Sequence, residues 1–392
     1  MSRVLAPVLA ALSLSLLPST ALAIDFRFSG FGDVTLGTRL GDTVNNGDLE
    51  NFEDYGEDSI VVNENQGFGT GGTDFVVLAD LTNRLTYLAE VNFQTLRGQS
   101  TEFEIDVERI LVDYRFNQAF NVQAGLFFTP IGLYNRFLYS RAWLVNSVRV
   151  PDLFEEEYGF LPTHSTGLEV HGGFPMLNGS TINYAVSIAN GRADAPDGIY
   201  YTRAPEPPQE ISGLVEMLIP GFKVSRVGIS GWTDVLETVN LDTPGETVLA
   251  DEAEALNLRE VGIDGYVSAE GRYVSVFAEY IQANRFEVGD SSELDVQHML
   301  LAELSFHILE RKLHPYARYD LIVLPEDGGG DYLWVRGDGD TYTAAYIPDF
   351  NGFMIGAAYD AHRHARIKLE YGHNLDGPRP MHAVTGQVAY GF

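Results

Sequence analysis

The sequence predicts an all-β chain that closes into a single transmembrane up-and-down antiparallel β-barrel of about 16 strands. Three observations predict it. Apolar and polar residues alternate with a period of two along segment after segment, the connections alternate short and long, and an export signal precedes a chain with no later apolar helix. A soluble β-sandwich also alternates, but its outward faces would be polar and its turns would not sort by parity.

The N-terminus comes first. Met1-Ser2-Arg3 is a short positive head, Val4 to Leu17 is an apolar stretch of 14 residues, Pro18 breaks it, and Ala21-Leu22-Ala23 is a small-x-small cleavage site. This three-part pattern is a secretory signal peptide over 1–23, too short to span a membrane as a helix. The mature chain is expected to begin near Ile24, with one barrel domain over 24–392. The absence of cysteine excludes acylation of a lipoprotein signal, a disulfide scaffold, a thiolate metal site and covalent haem attachment. No later segment approaches the roughly 18 apolar residues a membrane helix needs, and a barrel needs none. The formal charge of −30 opposes nucleic-acid binding and fits a surface that meets cations.

Along the chain, even positions Phe26, Phe28, Gly30, Gly32, Val34, Leu36 and Leu40 are apolar or small, whereas Asp25, Arg27, Ser29, Asp33, Thr35 and Arg39 are polar. A period of two places these sets on opposite faces of a strand. Leu85, Tyr87, Ala89, Val91 and Phe93 likewise oppose Thr86, Glu90, Asn92 and Gln94. Leu313, Ala317, Tyr319, Leu321 and Val323 oppose His314, Tyr316, Arg318 and Asp320, and Ala365, Ile367, Leu369 and Tyr371 oppose Arg366, Lys368 and Glu370. Sixteen segments read this way: 25–40, 73–82, 84–96, 103–116, 120–129, 165–174, 180–190, 209–219, 222–234, 256–269, 271–286, 294–308, 311–325, 349–360, 363–374 and 381–392. Parity changes near Glu108-Arg109, which predicts a bulge. Alternation is poor over 209–234, which leaves the face of Arg226 open.

Short connections fall near Thr82-Asn83, 117–119, 175–179, Pro220-Gly221, Glu270, 309–310 and Ala361-His362. Long ones fall near 41–72, 130–164, 191–208, 235–255 and 326–348, with shorter members of that set at 97–102, 287–293 and 375–380. Periplasmic turns and extracellular loops of an outer-membrane barrel sort in this way.

The C-terminal Gln387-Val388-Ala389-Tyr390-Gly391-Phe392 resembles the terminal signature of Gram-negative outer-membrane barrels. Ala124 to Asn135, with Gly125 in a strand and Thr129-Pro130-Ile131-Gly132 opening a long loop, resembles the 16-stranded proteobacterial porins and the phosphate-selective porin group. The resemblance implies residence in the outer membrane among lipid and lipopolysaccharide, a homotrimer, and a third outer loop folded into the lumen. By position that loop is 130–164.

This loop holds Arg136, Arg141 and Arg149, then Asp152 and Glu155-Glu156-Glu157, among aromatics that include Tyr134, Phe137, Tyr139, Trp143 and Phe154. Such aromatic content argues for packing rather than disorder. The loop is expected to form the pore constriction, with separated basic and acidic stretches setting a transverse field. Arg27, Glu90, Arg318, Arg366 and Lys368 are expected to line a polar, water-filled lumen, most of its charges paired along the wall. The outer loops are acidic: eight carboxylates lie in 41–72 and six in 235–255, with no Lys or Arg in either. They would repel anions and hold Ca or Mg weakly, as hard cations choose carboxylate oxygens; otherwise no cofactor or metal site is expected.

Enzyme signals are poor. Gly67-Phe68-Gly69-Thr70-Gly71-Gly72 fits G-x-G-x-x-G but leads into a strand instead of a helix, and is read as a chance match in a loop. No G-x-S-x-G elbow occurs. The expected function is a porin that passes small hydrophilic solutes passively, leaning to cations. An anion-selective porin of phosphate type, an adhesin, or a sheath for a periplasmic partner are the alternatives.

Overall fold

All sixteen predicted segments form strands, and hydrogen bonds run around the ring they make. The computed structural model describes residues 25–40, 67–95, 103–139, 144–148, 150–151, 154, 161–192, 210–221, 224–239, 247–249, 255–288, 293–323, 335–337, 341–344, 350–374 and 381–392. In chain order the strands are β1 (Asp25–Leu40), β2 (Gly67–Asp80), β3 (Leu85–Thr95), β4 (Phe103–Arg115), β5 (Asn121–Phe128), β6 (His164–Pro175), β7 (Thr181–Ala189), β8 (Glu210–Leu218) and β9 (Val224–Val239). They continue with β10 (Thr247–Leu249), β11 (Ala255–Glu270), β12 (Val274–Glu287), β13 (Glu293–Phe306), β14 (Leu313–Val323), β15 (Val335–Gly337), β16 (Thr341–Ala344), β17 (Phe350–His362), β18 (Ala365–Asn374) and β19 (Met381–Gly391).

Each barrel strand pairs antiparallel with the next, and β1 pairs with β19 from Phe31 opposite Gly391 to Leu40 opposite His382. Phe392 and Gly30 exchange backbone hydrogen bonds of 2.8 and 3.0 Å, so the terminal residue completes the seam. Closure leaves none of the sixteen barrel strands with an open edge, as a hydrocarbon environment requires.

The two faces follow from the period of two. On β11, Val261, Ile263 and Val267 are exposed while Glu260, Asp264 and Tyr266 are buried. An apolar exposed face over a polar buried one is the reverse of a soluble sheet, and it sets the greasy side outward. Exposed aromatics gather beside the short turns: Phe26 and Phe28, Phe116 and Phe120 with ring centroids 5.2 Å apart, Phe174 and Tyr273. These form the girdle that marks a membrane interface. Short turns at 81–84, 116–120, 176–180, 271–273, 307–312 and 363–364 share one rim with Asp25 and Phe392.

Two bulges bend the first hairpins. The predicted one lies on β4, where Glu90 pairs with Arg109 but Asn92 with Asp106, so Val107 and Glu108 oppose Val91 alone. The other lies on β2 opposite Asp33, where Gly72 takes a φ of +98°, a left-handed conformation that costs glycine little.

Three readings of the sequence need correction. Gly67 to Gly72 belongs to β2, which starts six residues earlier than predicted; glycines carry no side chain to alternate, so the pattern hid it. The outer connections 235–255 and 326–348 carry a small antiparallel sheet, β10 with β16 and β16 with β15, that ties them together. The lumen is not uniformly polar. Trp232, Ile281, Ala283, Met299, Leu301, Ile322 and Met354 point inward from β9, β12, β13, β14 and β17 into a dry cluster, because a loop enters the barrel and covers them.

Candidate functional site

The entering loop is 130–164, anchored at its base by its own ends. Thr129 N–H donates to Thr163 O at 3.0 Å, and Asn135 Nδ2 donates to Thr129 O and Thr163 O at 3.0 and 2.9 Å. Below them the Thr129 and Ser165 hydroxyls meet at 2.5 Å, and Ser165 Oγ donates to Glu210 at 2.8 Å. Gly132 then turns the chain inward with a φ of +59°, and a Cβ there would strike Glu279 Oε1. Only glycine meets both conditions easily.

A single π turn, Tyr134–Leu138, follows and docks on the far wall. Gly132 N–H donates to Ser230 Oγ on β9 at 2.9 Å, and Tyr134 N–H to Glu279 Oε2 on β12 at 3.0 Å. Ile131, Tyr134, Phe154 and Leu161 are fully buried against the inward apolar residues of β9 to β17, with Tyr134 and Phe154 stacked at 4.7 Å. The segment 144–148 crosses to β13 and β18: Asn146 Nδ2 donates to Glu303 at 3.0 Å, Val148 N–H to Glu370 at 3.0 Å, and Lys368 Nζ to Ser147 O at 2.8 Å. The loop therefore spans the barrel from β5 and β6 to β18.

This filling is lopsided. At mid-height on β9, β11, β12 and β14 the inward residues Ser230, Asp264, Ile281 and Arg318 are buried. On β1 to β4 solvent reaches Thr35, Val76, Leu88, Asp106 and Arg109, all on the inner face. Solvent thus enters beside the loop at these positions of β1 to β4, although Asp33, Asp74, Glu90 and Asn92 on the same wall are buried.

The predicted lining residues fall as follows. Arg136 grips Glu169 on β6 with both terminal nitrogens, at 2.7 and 2.6 Å, and donates to Phe128 O at 2.9 Å. Burial alone would lower the guanidinium's pKa, but Glu169 more than offsets this and holds it above the ordinary arginine value. Glu90 accepts from Arg109 Nε at 2.6 Å, and Arg109 in turn lies over the Phe128 ring at 4.5 Å. Arg318 chelates Asp320 on its own strand, with Nε 2.8 Å from Oδ1. Arg366 donates to Asp360 at 2.7 Å and to Val145 O of the loop at 3.2 Å. Arg27 sits apart, at the short-turn rim on Asp80 at 2.6 Å, more than half exposed. Arg141, Arg149, Asp152, Glu155, Glu156 and Glu157 lie outside the described residues.

Arg226, whose face the sequence left open, turns inward: it lies 4.2 Å over the Phe137 ring and 3.4 Å from Glu216. Sequence reasoning missed that the chain just past β7 turns Arg192 into the barrel. Arg192 donates through its backbone N–H and Nε to Asp234 at 3.1 Å and also binds Glu260, which accepts from Trp232 Nε1 at 2.7 Å and Arg285 Nε at 2.9 Å. Burial opposes the charge on Arg192, and Glu260 and Asp234 raise its pKa regardless. Nothing in the sequence near Gly191-Arg192 signals this partnership across strands. Among the described residues no three His, Asp or Glu converge as a metal site. The acidic outer loops proposed for Ca or Mg lie mostly outside those residues.

No protein-family model matches the sequence, and no curated relative matches it. Solved structures do. An anion-selective porin from Comamonas acidovorans superposes with a TM-score of 0.56 at 10% identity, covering 94% of this chain and 100% of that one. OmpT, an outer membrane protein of Vibrio cholerae, gives 0.55 at 11% over 95% and 99%. The outer membrane channel DcaP of Acinetobacter baumannii gives 0.52 at 14% over 95% and 99%. The chain has the fold of the Gram-negative outer-membrane porins.

Proposed function

We propose that this chain is an outer-membrane porin that lets small hydrophilic solutes diffuse passively, with a preference for cations. The observation that carries the reading is the loop 130–164 entering the barrel and packing on the wall of β9 to β17, while solvent still reaches Thr35, Val76, Leu88, Asp106 and Arg109 inside β1 to β4. A barrel of sixteen strands is too wide for wall side chains to fill, so an inward loop decides its bore. Arg136, Arg366 and Lys368, with Arg141, Arg149, Asp152 and Glu155 to Glu157, would frame the constriction, and Glu90 and Arg318 its wall. Arg27 would serve the periplasmic rim. The apolar outer wall with its aromatic girdle supports contact with lipid and lipopolysaccharide.

Cation preference is supported by the −30 charge and by the acidic outer loops, which concentrate negative potential at the mouth. One neighbour is described as an anion-selective porin, which favours the opposite reading. Against it, Arg136, one of three loop arginines available to an anion, is spent on Glu169. A homotrimer fits the fold, since the V. cholerae OmpT has been solved in a trimer form.

The test is single-channel recording of the purified barrel in planar bilayers under a KCl gradient. Conductance with a reversal potential toward potassium is expected. Chloride preference would overturn the cation reading and leave the channel; a barrel that carries no current would overturn the channel and favour an adhesin or sheath.

A further inference from the structure

A chain of alternating charges climbs the inner wall from the short-turn rim to the inward loop. Strand register sets its frame: Asp80 on β2 opposes Thr86, Thr86 opposes Asp113 on β4, Asp113 opposes Gln123, and Gln123 opposes Glu169 on β6. Carboxylates therefore recur on alternate strands, which lie about 10 Å apart. Cations stand between them. Arg27 is 2.6 Å from Asp80, and Arg115 is 4.0 Å from Asp80 and 3.7 Å from Asp113. The His171 imidazole follows, 3.7 Å from Asp113 and 3.3 Å from Glu169, and Arg136 of the loop closes the chain on Glu169 at 2.6 Å.

The chain is balanced, and its lower part is wet. Arg27, Arg115 and Arg136 are matched by Asp80, Asp113 and Glu169. At the rim exposed Arg84, whose carbonyl accepts from Arg115 N–H at 2.7 Å, is matched by exposed Asp25 opposite Asp80. The side chains of Arg27 and Arg115 keep 56% and 57% of their surface open and that of Asp80 keeps 30%, so a solute meets them at the mouth itself. These pairs are also loose. The Arg115 side chain donates to Thr86 Oγ1 at 3.0 Å, Thr86 Oγ1 donates to Asp80 at 2.9 Å, and Arg115 stands beyond hydrogen-bond distance of both carboxylates. Exposed ion pairs hold weakly, so a dissolved charge can replace either partner.

We infer that this wall is a binding station for small zwitterions, solutes that carry both an ammonium and a carboxylate, as amino acids and short peptides do. The inference rests on the channel reading and names its substrate class. The solute carboxylate takes the open N–H groups of Arg115 or Arg27, whose planar fork fits it, and the solute ammonium takes Asp80. A solute with a single charge gains half of this and meets a like charge beside its partner, since acid and base alternate at 2.6 to 4.0 Å.

The experiment records potassium current through the purified barrel at low ionic strength while glycylglycine or a size-matched relative is added. The relatives are N-acetylglycinamide without charge, N-acetylglycine with the negative end alone, and glycylglycinamide with the positive end alone. One exposed ion pair is worth up to about fivefold in affinity. Glycylglycine is therefore expected to block at concentrations about fivefold lower than either singly charged relative, and about twenty-five-fold lower than the neutral one. Arg115→Gln should weaken block by glycylglycine and N-acetylglycine about fivefold without weakening glycylglycinamide. Asp80→Asn should weaken glycylglycine and glycylglycinamide and spare N-acetylglycine. Equal block by glycylglycine and N-acetylglycinamide, or variants that shift all four probes together, would overturn the station while the channel stands. Absence of any current would overturn the channel reading; saturation-transfer NMR on the folded barrel then ranks the same four probes, and the station falls if their order is lost. Should a variant fail to refold, judged by heat-modifiable migration, the four probes on the unaltered protein still decide.

Discussion

Arg136→Ala tests how the inward loop is held. The wild-type pair has two hydrogen bonds of 2.7 and 2.6 Å, and Glu169 is fully buried, so truncation strands a buried carboxylate. Breaking a buried pair from one side costs about 3–5 kcal/mol. The lower end applies, because His171 Nδ1 remains 3.3 Å from Glu169 and solvent reaches part of Arg136. Against this loss stand Ile131, Tyr134, Phe154 and Leu161, which contribute about 1.5–3 kcal/mol each by burial, or roughly 6–12 together. The loop therefore stays docked in the variant, but its opening becomes easier by about 3 kcal/mol, on the order of a hundredfold in population. Hydrogen exchange read by mass spectrometry on the detergent-solubilised barrel measures this. Gly132, Tyr134, Phe137 and Tyr139 have amides bonded in the docked loop and report its opening. They should exchange about a hundredfold faster in Arg136→Ala, while amides of β11 to β14 keep their rates. Arg136→Ala with Glu169→Gln should regain about tenfold of the protection, since no stranded charge remains. Unchanged exchange at these four amides in Arg136→Ala would refute the pin.

Gly132→Ala should loosen the same loop by about 1–2 kcal/mol from the left-handed backbone alone, and by more where the new methyl displaces Glu279. It should raise current noise in single-channel traces without lowering refolding yield, and a quiet wild-type trace would count against the placement of Gly132. Ile263→Arg puts a charge on the exposed middle of β11 and should cost about 2–4 kcal/mol if that face meets hydrocarbon. Folding yield into liposomes would then fall sharply, and a wild-type yield would mean that this face does not lie in lipid.

Much of this architecture was legible because the bilayer inverts the usual pattern, so parity marks inside from outside on strands such as Leu85–Thr95 and Leu313–Val323. Even the parity change at Glu108-Arg109 was a true bulge. The inward course of 130–164 was legible from its aromatics and position; its partners were not, because Glu169, Ser230, Glu279 and Glu370 are far away in sequence and meet the loop only after closure. The dry half of the lumen had a signal that went unused. Met299-Leu300-Leu301-Ala302 is apolar on both faces of β13, which a strand between lipid and water should not be. A strand greasy on both sides in a wide barrel needs something apolar inside, and here Phe154 and Tyr134 of the loop supply it. The inner faces of β1 to β4 are mixed instead, Phe31, Val76, Leu88 and Leu111 standing among Asp33, Asp74, Glu90 and Asp106, so their parity reads as lipid outside and a part-polar wall inside without telling what is seated against it.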